Sequence, residues 1–120
     1  VYKRQENKYE KIKKITEALS DLVSEINKIE KYNNFHILFD YGKKGIRVYC
    51  QSTSLTRIST GRKETYEEAI MKFIDRLSVT MRMQIKSYSE MSLGDFSKEC
   101  IKANERMLEL LFEFKNKIEC

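Results

Sequence analysis

Apolar residues recur along this chain with two different periods, and the change of period divides it into elements. Ile12, Ile15, Leu19, Leu22, Ile26 and Ile29 are spaced three, four, three, four and three apart, with Val23 beside them. That spacing predicts a helix from about Lys3 to Tyr32 with one apolar stripe. The stripe suits either a core-facing helix or the seam of a coiled coil. Asn33 and Asn34 should end it, because asparagine tolerates the left-handed conformation found past helix C-termini.

From Phe35 the period falls to two. Phe35, Ile37, Phe39 and Tyr41 alternate with His36, Leu38 and Asp40; after Gly42-Lys43-Lys44-Gly45, Ile46, Val48 and Cys50 alternate with Arg47, Tyr49 and Gln51. Pairing Tyr41 with Ile46 sets Phe39 against Val48 and Ile37 against Cys50 on one face, so a hairpin with a four-residue turn follows. A third strand is expected over about Leu55 to Thr60. Leu55 and Ile58 differ in parity there, so one faces out or a bulge intervenes.

Past Gly61 the helical period returns. Thr65-Tyr66-Glu67-Glu68 has the form of a capping box. A second helix is predicted to about Tyr88 or Met91, burying Tyr66, Ala69, Ile70, Phe73, Leu77, Met81, Ile85 and Tyr88. Ser92-Leu93-Gly94 breaks it, and Asp95 can cap a third helix. The third stripe is Cys100, Asn104, Met107, Leu111, Phe114 and Ile118, broadened by Leu108 and Phe112. Asn104 either fixes helix register from within that stripe or lies at its edge. The predicted fold is therefore α+β, a single domain over 1–120. A small three-stranded antiparallel sheet is covered on one face by three long helices, in the order α-β-β-β-α-α. Such helices outreach strands of about six residues, so self-association is a natural expectation.

Composition sharpens this only in places. The chain has 120 residues, 34% of them charged, no proline and four glycines. That length suits one domain, and the 13 aromatic residues argue against disorder. No apolar run approaches the roughly 18 residues of a membrane span. The opening Val-Tyr-Lys-Arg-Gln resembles translated adapter sequence at the end of a metagenomic reading frame. Residues 1–5 are accordingly expected to be artefactual or frayed. Cys50, Cys100 and Cys120 have no zinc or redox spacing, which suggests reduced thiols in a cytoplasmic protein.

Charge is unevenly distributed. Residues 1–32 carry eight basic and six acidic side chains, and residues 67–120 carry nine and ten. Residues 33–66 carry six basic (Lys43, Lys44, Arg47, Arg57, Arg62, Lys63) against only Asp40 and Glu64. A local excess of this kind can attract a polyanion.

No catalytic constellation is evident. His36 and Asp40 share a strand face with no nucleophile tied to them. Gly42-Lys43-Lys44-Gly45 lacks the length and the following helix of a phosphate-binding loop. Neither cofactor nor metal is expected, and the reading is of a non-enzymatic module. The best candidate surface is the outward face of the sheet, where Arg47 and Arg57 beside Tyr49 would offer a phosphate fork and a stacking plane. Lys43, Lys44, Arg62 and Lys63 extend that surface. Arg62 and Lys63 also sit ahead of a helix N-terminus, against the macrodipole preference, as though an anion lay between. The partner so implied is nucleic acid or a phosphorylated nucleotide. The alternative is a protein-interaction module, such as a small phage or mobile-element inhibitor, acting through helix faces that include Leu111 and Phe114.

The order helix, three strands, helix, with Gly61-Arg62-Lys63-Glu64-Thr65 leading into the second helix, is similar to the layout of double-stranded-RNA-binding domains. It also looks like the three-strand-plus-helix arm-binding domains of phage integrases. The likeness is one of element order. The first helix is longer than either layout needs, and the third is additional.

Overall fold

The computed structural model describes residues 2–32, 34–52, 58–91 and 94–119, with side chains from Tyr9 onward except at position 30. Helix α1 spans Tyr2–Asn27 and is followed by a 3-10 turn, Glu30–Tyr32. Strands β1 (His36–Gly42) and β2 (Gly45–Gln51) form an antiparallel pair; helices α2 (Tyr66–Met91) and α3 (Asp95–Glu119) complete the chain. The α+β class and the three helices agree with the sequence pattern.

The first helix stops five residues early because Asn27 diverts the chain. Its Oδ1 accepts from the Phe35 amide at 2.8 Å, and its Nδ2 donates to the Phe35 carbonyl at 3.0 Å. One side chain thus satisfies both backbone groups of the residue that enters the sheet, as a neighbouring strand would. Asn34 then takes a φ of 61°, the left-handed conformation asparagine tolerates. Tyr32 and Phe35, either side of this corner, are fully buried.

The hairpin register is the one the alternation implies: Tyr41 pairs with Ile46, Phe39 with Val48 and Ile37 with Cys50. Val48 and Cys50 are wholly buried, and Phe39 stacks on Tyr66 of α2 at 5.4 Å. Tyr41 lies beyond the covered part of that face and is exposed.

The expected third strand is not matched. Residues 53–57, which hold half of it, lie outside the described residues; over 58–63 there are isolated bridges in place of a strand. Those bridges, Tyr49 to Ser59 and Ile46 to Lys63, are antiparallel. Three steps along β2 are matched by four on the facing segment, so one residue is extra and the chain bulges at Gly61-Arg62. Thr60, buried beside the bulge, donates its amide to the Val48 carbonyl at 3.0 Å; its Oγ1 accepts from the Val48 amide at 3.2 Å. A hydroxyl therefore replaces the backbone acceptor that the bulge turns aside. Arg76 of α2 holds the segment from the other side, donating to the Ser59 carbonyl at 3.0 Å.

Thr65 Oγ1 accepts from the Glu68 amide at 3.1 Å and caps α2. Along α2, Ala69, Ile70, Phe73, Leu77 and Met81 are buried as their spacing implies, joined by Ile74. On α3, Cys100, Asn104, Met107, Leu111 and Phe114 are buried and Ile118 partly so, whereas Phe112 is 66% exposed. Phe112 does not broaden the core stripe: it faces solvent. Leu111 and Phe114, by contrast, belong to the core and are not an accessible surface. Asn104 sits fully within the core, where its Oδ1 accepts from the Tyr32 hydroxyl.

Candidate nucleic-acid interface

Antiparallel pairing puts Asp40 directly opposite Arg47 on the face of the hairpin that points away from the core. An acid and a base in that position are within reach of each other. Arg47 Nη2 lies 3.2 Å from Asp40 Oδ2. The bulge then aims Arg62 at the same carboxylate across the width of β2. Arg62 Nη2 stands 2.8 Å from Asp40 Oδ2, while its Nη1 donates to the carbonyls of Asp40 at 3.2 Å and Gly45 at 3.0 Å.

Two guanidinium groups thus share one carboxylate. Arg47 and Arg62, expected to offer their guanidinium groups to a phosphate, are therefore already engaged by a carboxylate of the same chain. Arg57 lies outside the described residues. Nor does Arg62 hover over the start of α2, where its position in sequence suggested a trapped anion; it is turned to the opposite side, toward β1.

Glycine makes this geometry possible at two points. A side chain at Gly42 would come within 2.7 Å of Arg62 Nη1, so the guanidinium lies flat on bare backbone. Gly45 has a φ of 121°, and a Cβ there would collide with the Lys63 carbonyl. That closeness lets Lys63 exchange two backbone hydrogen bonds with Ile46, at 2.8 and 2.9 Å. Between the two glycines, Lys43 and Lys44 form the exposed turn.

Five of the six residues singled out by charge are therefore gathered toward the turn end of the hairpin, with Tyr49 beside Arg47; the sixth, Arg57, lies outside the described residues. The Arg47 guanidinium carbon lies 5.3 Å from the centre of the Tyr49 ring, within cation–π range. Arg47 Nε is covered and has no hydrogen-bond partner. The arginines are each about one-third exposed, so they are fixed yet reachable. What pattern-reading passed over is Asp40 as their common anchor. Its half with Arg47 follows from the register; its half with Arg62 depends on the bulge.

Cys50 lies on the opposite, buried face, and burial pushes its thiol above the ordinary value, which keeps it protonated and weakly nucleophilic. His36 is exposed at the far end of β1. Among the described residues, no group of three or more histidine, cysteine or acidic side chains is placed to hold a metal. No described helix is long and apolar enough to cross a membrane. Comparison with protein-family models, with curated proteins and with solved structures gave no match.

Proposed function

We propose that this chain is a non-enzymatic binding module that engages the phosphate backbone of a nucleic acid through the basic end of its hairpin. One observation carries the reading. The turn and the bulge place Lys43, Lys44, Arg47, Arg62 and Lys63 at one end of the hairpin, Lys63 on the face of its partner Ile46, and among the described residues there the acidic ones are Asp40, which holds both arginines, and Glu64. One carboxylate offsets one of the two guanidinium charges it holds, so the cluster stays positive. Anchoring by Asp40 also fixes both guanidinium planes before any ligand arrives, which lowers the ordering cost of binding.

The shape of the surface favours an extended polyanion over a small nucleotide. Lys43 and Lys44 occupy a convex turn, whereas small ligands are taken into concave sites that surround them. Arginines that already hold a carboxylate present their remaining N–H donors to a phosphate edge.

Fluorescence anisotropy of a labelled oligonucleotide, titrated with protein over a range of salt concentrations, tests this directly. Binding should weaken steeply with salt. A Lys43→Gln/Lys44→Gln/Lys63→Gln variant, which spares the arginine–carboxylate scaffold, should bind more weakly and lower the log–log salt slope by about 2 to 3 units. An unchanged affinity and slope in that variant would reject the reading.

A further inference from the structure

On the outer side of the helical hairpin, α2 and α3 leave a cleft of about 520 Å³ with Asp75, Ser78 and Arg82 along one wall and Glu105, Phe112 and Lys115 along the other. The helices are antiparallel, and Lys115 pairs with Asp75 across the cleft. That pair fixes the levels: Ser78 stands opposite Phe112, and Arg82 opposite Leu108, one turn from Glu105. Asp75 and Lys115 thus share one level, Arg82 faces the acidic stretch of α3 that holds Glu105 and Glu109, and small Ser78 faces the large exposed Phe112. We propose that this face binds a second copy of the chain about a two-fold axis parallel to the helices, with Phe112 of each copy seated over Ser78 of the other.

A two-fold axis in that direction sets α2 of one copy against α3 of the other at the same level. Arg82 then faces the acidic stretch at Glu105 and Glu109 of the other copy, and the Asp75–Lys115 pair of each chain lies level with that of the other, twice over, as an isologous contact requires. No other direction of the axis does this: a two-fold across the helices would bring α3 onto α3. Among the described residues Arg82 and Glu105 make no ion pair within the chain, so neither has to be released. Phe112 is 66% exposed at the middle of the face, with Leu108 and Ile101 partly exposed on the same side of α3. An aromatic set at the centre and ringed by charge is the usual make-up of an interface anchor.

The area suffices. Two helices of 26 and 25 residues are about 38 Å long and together about 20 Å wide, or roughly 760 Å² per copy, close to the share each partner gives in a standard interface. The contact lies on the helices and leaves the hairpin end uncovered, so it does not depend on the proposed nucleic-acid role.

Light scattering on the full chain after size exclusion, without nucleic acid, tests the proposal. The wild-type protein should run at twice 14.3 kDa at concentrations up to about 100 μM, above the dissociation constant of most standard-size interfaces. Phe112→Glu should run at 14.3 kDa with its circular dichroism and melting transition retained, since little of Phe112 is buried within one chain. Arg82→Glu should weaken the dimer at least tenfold, and adding Glu105→Arg should restore it. A monomeric wild-type protein, or a dimer that persists in Phe112→Glu, would overturn the proposal.

Discussion

Arg62 Nη2 lies 2.8 Å from Oδ2 of Asp40 although 22 residues separate them in the chain. The contact exists because a single extra residue opposite β2 turns Arg62 outward and Gly42 leaves room beneath it. Asp40 is thereby the organiser of the basic hairpin end and would compete with any anion proposed to bind there.

Replacing that carboxylate separates the two roles. Asp40→Asn should destabilise the fold by no more than about 1 kcal/mol, because all three side chains are about one-third exposed and such pairs are screened by water. It should also tighten oligonucleotide binding several-fold by removing the internal competitor. Chemical denaturation and anisotropy read the two effects independently; weakened binding would mean that orienting the arginines outweighs competing for them.

The glycines provide a backbone test. Gly45→Ala places a methyl group against the Lys63 carbonyl at a φ of 121°, and should cost about 2 kcal/mol or more. Gly61→Ala meets nothing within 4 Å and has no positive φ, so it should be neutral or stabilise by up to about 1 kcal/mol. Urea denaturation of the two variants distinguishes a strained turn from general intolerance of the hairpin to substitution.

A buried polar pair gives a third prediction. Tyr32 donates to Asn104 inside the core, while Asn104 Nδ2 has no partner. Tyr32→Phe should cost about 1 to 3 kcal/mol by stripping Asn104 of its remaining bond; combining it with Asn104→Leu should recover part of that loss. Urea denaturation at neutral pH measures both. A double variant less stable than Tyr32→Phe alone would contradict the account.

Alkaline pH examines the same residue. Burial, assisted by Tyr88, holds the Tyr32 phenol well above its ordinary value of 10. Between that value and the higher folded-state one, the unfolded chain releases a proton that the folded chain keeps. Stability contributed by the buried phenol is therefore complete below pH 10 and lost as pH rises, by up to about 1.4 kcal/mol per unit. Cys50, raised by burial too, adds a loss of the same sign from a lower starting value. Tyr32→Phe should be closer in stability to the wild-type protein at pH 11 than at pH 8.

Much of the fold could be read from periodicity because single-period stripes were long and uninterrupted. The hairpin register followed from matching parity on both sides of Gly42-Lys43-Lys44-Gly45, and α2 and α3 from stripes bounded by Thr65, Gly94 and Asp95. The early end of α1 could not, since it rests on Asn27 bonding Phe35 eight residues on, and no local propensity encodes such a contact. The bulge at Gly61-Arg62 was hidden for a similar reason: it lies beyond the expected strand, whereas the parity change lay between Leu55, which is outside the described residues, and Ile58. At the candidate site, charge counting found the cations and missed their anchor. Asp40 opposite Arg47 was implied by the register itself; Arg62 joining them was not.

The proposal for the hairpin end is tested most directly by mapping the backbone amides of the isotopically labelled protein by NMR during titration with a short oligonucleotide. The account predicts shifts concentrated at Gly42–Arg47 and Arg62–Lys63, diminishing as salt is raised, with α3 unaffected. Shifts centred on the α2–α3 cleft, or none at any oligonucleotide concentration, would contradict it.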